Sequence, residues 1–198
     1  MRLSPPISVL AILAVGISML AITRFDQERN RRFAACGAAS TYLRHVLSQK
    51  PFRPYFFETS STYRRNEFTV DQFLRSEDGR EFLKPEFALD IELAREKERV
   101  GAQTAITKCP EIKDILVKEG VPYGVTDNTR LPTVKADGWY AREFISISMP
   151  ALNRNKDVAA LEYSSVSGPL AGGGTDVRLE RQKNGTWAIK EERPTWIS

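Results

Sequence analysis

The chain has 198 residues, 41% of them hydrophobic, a length that suits one globular domain of about 150 residues with an additional segment. A core of that size needs neither disulfides nor a metal to be stable. The net charge is +4, but residues 1–65 carry ten Lys and Arg against three Asp and Glu, whereas residues 66–198 carry 19 against 22. The positive charge therefore lies near the N-terminus, which argues against nucleic-acid binding by the globular domain.

The first predicted element is an apolar segment at residues 7–23, which contains 17 residues without a charge and precedes Arg24. This length is at the short end for a membrane-spanning helix and slightly long for the apolar part of a signal peptide. No small-x-small cleavage site accompanies it. We therefore predict an uncleaved membrane anchor over residues 1–24 and a juxtamembrane helix over residues 25–50. A cleaved signal peptide, with secretion to the periplasm, is the alternative.

Two signals bear on the orientation of this anchor. Arg24, Arg29, Arg31 and Arg32 follow it, and the positive-inside rule would then place the C-terminal domain in the cytoplasm. A short N-terminal tail with a single arginine before the apolar segment is instead typical of exported proteins. We expect a bacterial inner-membrane protein with one membrane pass and a periplasmic domain.

The cysteine and histidine content limits the chemistry of the chain. Cys36 and Cys109 are the only cysteines, so a single disulfide is the one intramolecular pairing that the sequence allows. Two buried thiols also fit this count. His45 is the only histidine and has no cysteine or carboxylate at ligand spacing. We predict no metal site and treat His45 as a surface or packed residue.

The middle of the chain mixes short helices and one strand. Residues 52–65 interleave arginines with aromatic residues, a composition that can stack nucleic-acid bases or contact a membrane surface, but a strand and turn is the simpler interpretation. Residues 69–74 predict a short helix. Residues 87–94 alternate like a strand and also fit one face of a helix, so both interpretations stay open. Pro110 begins a short amphipathic helix that ends at Gly120.

The C-terminal part of the chain predicts a four-stranded antiparallel meander. Four runs have the character of strands, at residues 144–149, 159–166, 175–181 and 187–189. Asn184 and Gly185 form the dipeptide preferred in two-residue hairpins. The predicted fold class is therefore α+β, with an N-terminal transmembrane helix followed by helices packed on this meander. The globular domain covers residues 51–198.

The glycine-rich run at residues 168–174 is the main candidate for a functional site. Four of its seven residues are glycine, namely Gly168, Gly172, Gly173 and Gly174. The spacing approaches that of a phosphate-binding P-loop, but Gly174 replaces the lysine and a strand follows where a helix is needed. We therefore reject nucleotide binding. The four glycines are assigned as a candidate ligand- or partner-binding loop, and a bulged connection between strands is the structural alternative.

Other motifs fail in identifiable ways. Asn153, Asn155 and Asp157 resemble the start of a calcium loop, but Val158 and Ser164 replace the glycine and glutamate that such a loop requires. We predict a hairpin turn there. The sequence contains neither a Gly-x-Ser-x-Gly elbow nor a dinucleotide-binding fingerprint. No cofactor and no catalytic residue are predicted.

The C-terminal sequence resembles a known group of proteins. Residues 144–150 and 159–163, the glycine-rich run and the final Trp196, Ile197 and Ser198 look like the ending of a widespread group of small, uncharacterised bacterial proteins. Members are often exported or lipid-anchored, and the resemblance implies no activity. The final strand, Asn-Gly turn and Trp187-x-Ile189 ending is also similar to nuclear-transport-factor-like cone folds.

These observations predict a single-pass envelope protein whose soluble domain binds a partner protein or a small ligand without catalysis. A hydrolase is one alternative, since the sequence alone cannot pair an acid and a base among 25 Asp and Glu residues. An accessory subunit of a membrane complex, docking through a helix at residues 7–47, is another.

Overall fold

The computed structural model describes residues 7–49, 54–59, 69–125, 134–136 and 138–197, and for residues 7–24 it describes the backbone alone. The α-helices in these residues are α1 (Ile7–Ser48), α2 (Val70–Arg75), α3 (Ala88–Val100), α4 (Ala105–Lys108) and α5 (Pro110–Lys118), with short 3₁₀ helices at Asp78–Leu83 and Pro85–Phe87. The strands are β1 (Tyr55–Glu58), β2 (Tyr123–Gly124), β3 (Glu143–Ile147), β4 (Ala151–Leu152), β5 (Val158–Gly168), β6 (Ala171–Arg181) and β7 (Trp187–Ile197).

All seven strands form one mixed sheet in the order β2-β1-β3-β5-β6-β7, and β4 also pairs with β5. The meander predicted near the C-terminus is present, because β3, β5, β6 and β7 pair antiparallel in sequence. The sheet extends beyond the predicted meander and is mixed, because β1 lies parallel to both β2 and β3. A parallel pair requires a long crossover, and helices α2 to α5 provide it. The α+β class is confirmed.

The predicted transmembrane helix is wrong. Within the described residues, no helix combines the length and the apolar character needed to cross a membrane. A membrane-spanning helix needs about 20 consecutive apolar residues. The described side chains of α1 instead begin at Phe25 and soon include Asp26, Glu28 and Arg29, after which the helix enters the domain core. The side chains of residues 7–24 lie outside the described residues.

From residue 34 onward, α1 forms one side of the core. Its buried residues are Ala34, Ala35, Cys36, Ala38, Ala39, Tyr42, Leu43 and Val46. The small residues allow close approach to the strands, and a Cβ on Gly37 would lie 3.2 Å from the indole Nε1 of Trp187. The ring of Tyr42 meets that of Tyr163 edge-on, with centroids 5.7 Å apart. This face of α1 is covered by its own domain and is not free to dock another protein.

The other side of the core comes from the sheet and from helices α4 and α5. Its fully buried side chains are Phe57, Ile106, Ile112, Leu116, Ile145, Ile147, Leu161, Val177 and Leu179. Each such side chain contributes about 1.5–3 kcal/mol by leaving water. Along β6, the buried Val177 and Leu179 alternate with the more exposed Arg178 and Glu180, as the sequence pattern predicts.

Three local predictions in the middle of the chain are confirmed, namely two helices and one strand. Thr69 caps α2, since its Oγ1 accepts a hydrogen bond from the backbone N–H of Gln72 at 3.1 Å and the Gln72 side chain accepts one from the Thr69 N–H. Pro110 is the first residue of α5. The strand within residues 52–65 is β1, and residues 60–68 lie outside the described residues.

Residues 87–94 belong to a helix, so the strand interpretation of this segment is wrong. α3 buries Leu93. Asp90 lies in its first turn and Lys97 and Arg99 in its last, and both charge signs complement the helix dipole. Gly101 ends the helix with a φ of 66°, a conformation that favours glycine. The alternation of apolar residues reflected one amphipathic helix face.

The β6–β7 hairpin is not the two-residue Asn-Gly turn that the sequence predicts. The N–H of Gly185 donates to the carbonyl of Gln182 at 2.8 Å, which places Lys183 and Asn184 at the centre of the turn. Gly185 itself has a φ of 83° and follows the turn. The N–H of Gln182 then donates to the carbonyl of Thr186 at 2.7 Å. Glycine is therefore needed one position later than a two-residue turn would require.

Covalent and ionic contacts fix α1 against the helices around it. Cys36 and Cys109 form a disulfide with their Cα atoms 5.3 Å apart, and both residues are buried. Cys109 lies between α4 and α5, so the bond attaches both helices to α1. One turn before Cys36, Arg32 donates from Nε to the carbonyl of Lys108 at 2.8 Å. The disulfide and this hydrogen bond hold adjacent positions.

An ionic contact joins α1 to α3 in a mostly buried position. Arg31 Nε donates to Glu96 Oε1 at 2.9 Å, and Arg31 also donates to the carbonyl of Leu152. Arg99 donates to both carboxylate oxygens of Glu96, at 2.8 and 2.7 Å. Burial alone would raise the pKa of Glu96, but the hydrogen bonds from Arg99 and Arg31 lower it below its ordinary value of 4.5.

Removing the disulfide tests its contribution to stability. The double substitution Cys36→Ala and Cys109→Ala should lower the free energy of unfolding by about 4 kcal/mol, because the bond constrains an unfolded chain over 73 positions. Urea unfolding of the two proteins in non-reducing buffer measures this difference. Two free thiols in the native protein, detected by mass spectrometry without reductant, would contradict the pairing.

The Glu96 carboxylate should make stability depend on pH. Its lowered pKa in the folded state means that its contribution is present above the ordinary value of 4.5 and is lost as the pH falls below it. Glu96→Gln should therefore cost about 1–2 kcal/mol near pH 7, where a charged hydrogen-bond partner is lost. This difference from the unchanged protein should shrink below pH 4, as measured by urea unfolding across pH. A constant difference across that range would contradict this account.

Candidate binding surface

The predicted glycine loop is mostly a strand. β5 extends through Gly168 and β6 begins at Ala171, so only two residues connect them. Gly172, Gly173 and Gly174 lie inside β6, where they pair with Val166, Ser165 and Ser164, respectively. Their backbone groups belong to the sheet and do not form an open cradle for a ligand. The register shifts between Val166 and Gly168, so the alternative of a bulged connection between strands describes this region better.

Gly172 and Gly174 leave room for the indole of Trp196. A Cβ on Gly174 would lie 2.1 Å from Trp196 Nε1 and 2.5 Å from Cδ1, distances that no side chain tolerates. A Cβ on Gly172 would lie 3.0 Å from the Ser165 carbonyl oxygen and 3.3 Å from two other indole carbons, whereas one on Gly173 would meet only the Trp196 carbonyl oxygen, at 3.4 Å. Positions 172 and 174 face the same side of β6. We call these two residues the glycine track. An aromatic side chain over strand glycines restores the packing that they lack.

Four large apolar side chains lie at this end of the sheet, and the consecutive Trp196 and Ile197 point to opposite faces of β7. Leu170 lies in the β5–β6 turn and is 86% exposed, and Ile197, which pairs with Gly173, is 85% exposed. Trp196 and Trp139 are about two-fifths exposed. A Cβ on Gly168 would lie 3.5 Å from the Trp139 ring, which places Trp139 beside the same turn. We call Trp139, Leu170, Trp196 and Ile197 the corner patch.

A second cluster joins α1 to β7 through polar groups. The Tyr42 hydroxyl donates to Glu192 Oε1 at 2.7 Å, and His45 Nε2 lies 3.8 Å from Glu192 Oε2. Burial, followed by the hydrogen bond to Glu192, raises the pKa of Tyr42 well above its ordinary value, and burial likewise raises the pKa of Tyr163. Tyr42 is therefore a neutral donor at physiological pH. The cluster attaches the edge strand β7 to α1.

Local sequence patterns predict only part of this cluster. Tyr42 and His45 are three residues apart on a helix, a spacing that predicts a common face. Glu192 lies 150 positions from Tyr42, and no local pattern indicates that it completes the group. The prediction that His45 is a surface or packed residue agrees with its half-exposed position beside Tyr42.

Two carboxylates converge on the opposite side of the sheet from α1, but a lysine lies between them. Lys97 Nζ lies 3.3 Å from Glu162 Oε2 and 3.1 Å from Asp176 Oδ1, and the two acids pair across β5 and β6. Burial alone would lower the pKa of Lys97, but Asp176 and Glu162 raise it overall. Lys97 is thus held in its charged form. Such an arrangement suits a structural ion triad that ties α3 to the sheet.

The segment that resembles a calcium loop forms a closed turn, as predicted. Asn153 Nδ2 donates to Asp157 Oδ1 at 2.7 Å, and Asn153 Oδ1 accepts from the backbone N–H groups of Asp157 and Val158. Lys156 takes a φ of 61° inside this turn. Asn153 Oδ1 and Asp157 Oδ1, two of the oxygens that would bind a cation, are used within the turn. Across the described residues, no three His, Cys, Asp or Glu side chains are placed to hold a metal ion.

Comparison with protein-family models, with curated proteins and with solved structures found no match to this chain.

Adding a methyl group to the glycine track should reveal whether the glycines serve the indole. Gly174→Ala should lower the free energy of unfolding by about 2 kcal/mol, because the new methyl group overlaps the indole. Gly173→Ala is the matched control and should cost less than about 1 kcal/mol, because its methyl group meets a single carbonyl oxygen. Urea unfolding measures both values.

A double-substitution cycle separates this overlap from a general intolerance of alanine in β6. In a Trp196→Ala background, Gly174→Ala should lose most of its cost, because the indole that it overlaps is absent. An unchanged cost would show that the glycine is needed for another reason.

Proposed function

We propose that this chain is a binding domain without catalytic activity, and that it binds a partner protein through the corner patch. The observation that supports this proposal is the exposure of four large apolar side chains at one corner of the sheet. Burying Leu170 and Ile197 in an interface would contribute about 1.5–3 kcal/mol for each side chain. Tryptophan, which occurs twice in the patch, is among the residues that most often dominate binding energy.

The geometry of the patch favours a protein over a small ligand. Leu170 projects from a two-residue turn and Ile197 from the end of an edge strand, so both side chains stand out from the domain. Small molecules bind mainly in concave sites, whereas projecting apolar groups suit the surface of a partner. Strands β5 and β6 hold the turn that carries Leu170 in place through backbone pairing. A side chain fixed in this way loses little conformational entropy on binding.

The pairing of the charged groups supports a function without catalysis. Lys97 forms ion pairs with both Glu162 and Asp176, and Glu192 accepts a hydrogen bond from the Tyr42 hydroxyl. A general acid or base needs a shifted pKa and access to a substrate. Neither of these two groups therefore favours the hydrolase alternative.

The disulfide supports a location for this function. Stable disulfides form mainly outside the cytosol, in the periplasm or in secreted proteins. Cys36 and Cys109 are buried together in the core. We therefore propose that the domain acts in an oxidising compartment, with the bacterial periplasm as the expected one.

A photo-crosslinking experiment tests the proposed partner surface. Benzoylphenylalanine in place of Leu170, in the full chain produced in its native cells, should form one discrete covalent adduct on irradiation. The control carries the same group in place of Leu83, which is 60% exposed on a 3₁₀ helix distant in sequence from the corner patch. This control should form no adduct. Adducts at neither position, or the same adduct at both, would contradict the proposal.

The identified partner then allows a quantitative check. Leu170→Asp should weaken its binding at least ~10-fold in a titration with the purified full chain, because a charge replaces a central apolar contact. Leu83→Asp should leave the dissociation constant unchanged. Equal losses for the two variants would show that the corner patch is not the contact surface.

A further inference from the structure

The end of β7 pairs with β6 at residues 193, 194, 196 and 197, and the Trp196 indole packs on the β6 glycines. β7 lies at an edge of the described sheet, and β6 is its neighbour. Every residue from 192 to 197 is exposed. Tyr42 holds Glu192, but beyond that point Trp196 is the residue that packs into a matching surface. We call residues 193–197 the C-terminal segment.

The pairing of this segment with β6 is also interrupted. Thr175 pairs with Pro194 and Gly174 pairs with Trp196, so Thr195 is an extra residue that forms a bulge. Pro194 has no backbone N–H to donate to a strand. A second irregularity, between Arg178 and Leu179 of β6, precedes the segment. These features weaken the backbone hydrogen bonding between β6 and the C-terminal segment. The packing of the Trp196 indole on the glycine track is then the main specific contact of the segment.

The glycine track is, by contrast, shaped for this one side chain. The track is part of β6, and β6 pairs with β5 along residues 171–180, on the side away from the C-terminal segment. Gly172 and Gly174 both lie within contact distance of the indole. The glycine track can therefore act as a receptor on β6. The C-terminal segment, which is irregularly paired at the sheet edge, can act as an exchangeable donor strand.

We propose that the glycine track is a binding site for an extended segment that carries a tryptophan, and that the C-terminal segment of a second copy of this chain fills it by exchange. The contacts made between two copies are then the same contacts that are made within one copy. Such exchange is a low-cost route to dimers. This inference shares Trp196 and Ile197 with the corner patch, but it depends on the contact of the Trp196 indole with the β6 glycines, in which Leu170 and Trp139 play no part.

Concentration decides which copy supplies the segment. A chain's own segment has an effective concentration in the millimolar range when its linker is short, so exchange should become measurable as the protein approaches that range. The closed form should dominate in dilute solution. We expect the exchanged form to rise with the concentration of acceptor chains.

Isotope-labelled photo-crosslinking tests the exchange with full-length chains. Heavy-isotope chains that carry benzoylphenylalanine in place of Trp196 are mixed with unlabelled chains from micromolar to millimolar concentration, incubated and irradiated. Mass spectrometry should find heavy–light adducts at residues 172–174 of the unlabelled chain, increasing with its concentration. No heavy–light adduct up to millimolar concentration, or adducts elsewhere on the unlabelled chain, would overturn the proposal.

Variants of the unlabelled acceptor chain identify the site. An acceptor with Gly174→Ala should give at least ~10-fold less adduct, a ratio that corresponds to about 1.4 kcal/mol. Gly173→Ala is the matched control and should keep the adduct. If circular dichroism shows that Gly174→Ala does not fold, Gly172→Ala takes its place. Equal adduct yields for the glycine-track variant and the control would overturn the proposal.

A Leu170→Asp acceptor separates this inference from the proposed partner surface. It should exchange normally, because the glycine track is unchanged, while its binding to a partner protein falls. Loss of exchange in this variant would show that the corner patch, and not the glycine track, holds the second copy.

Discussion

The burial of α1 against the sheet is the constraint on which the rest of the structure depends. Its small residues allow the strands to approach, and Tyr42, Leu43 and Val46 fill the space beyond them. The Cys36–Cys109 bond and the Arg31–Glu96 contact then attach the remaining helices to α1. A helix held by apolar packing, a covalent bond and an ion pair fixes the positions of the strands that carry the surface features.

The second organising contact is that of Trp196 with the glycine track. It explains why a strand of an ordinary antiparallel meander contains three consecutive glycines, since two of them make room for an indole. Glycine weakens a strand because it provides no side chain to pack, and the tryptophan compensates for this loss. The same contact brings apolar side chains to a corner of the sheet. The contact that stabilises β6 and the surfaces proposed for binding therefore lie in the same small region.

Local patterns in the sequence predicted those elements whose determinants are close together in the chain. The helix at Pro110, the cap at Thr69 and the turn at Asn153 each follow from residues a few positions apart. Residues 87–94 were ambiguous, because a short apolar alternation fits a strand and a helix face alike. Glycine usually marks turns, so the local pattern predicts a loop at the glycine run. The residue that packs on these glycines, Trp196, lies more than 20 positions away, where no local pattern can indicate it.

The sequence by itself determined the α+β class, the meander and the single cysteine pairing that the chain allows, because periodicity and residue counts are local or compositional properties. Tertiary structure decided the parallel addition of β1, the grouping of Tyr42 with Glu192, and the seat of Trp196 on Gly172 and Gly174. It also overturned the transmembrane prediction. Each of these outcomes depends on which distant residues share a surface. Long-range packing energy sets that choice, and no short stretch of sequence contains it.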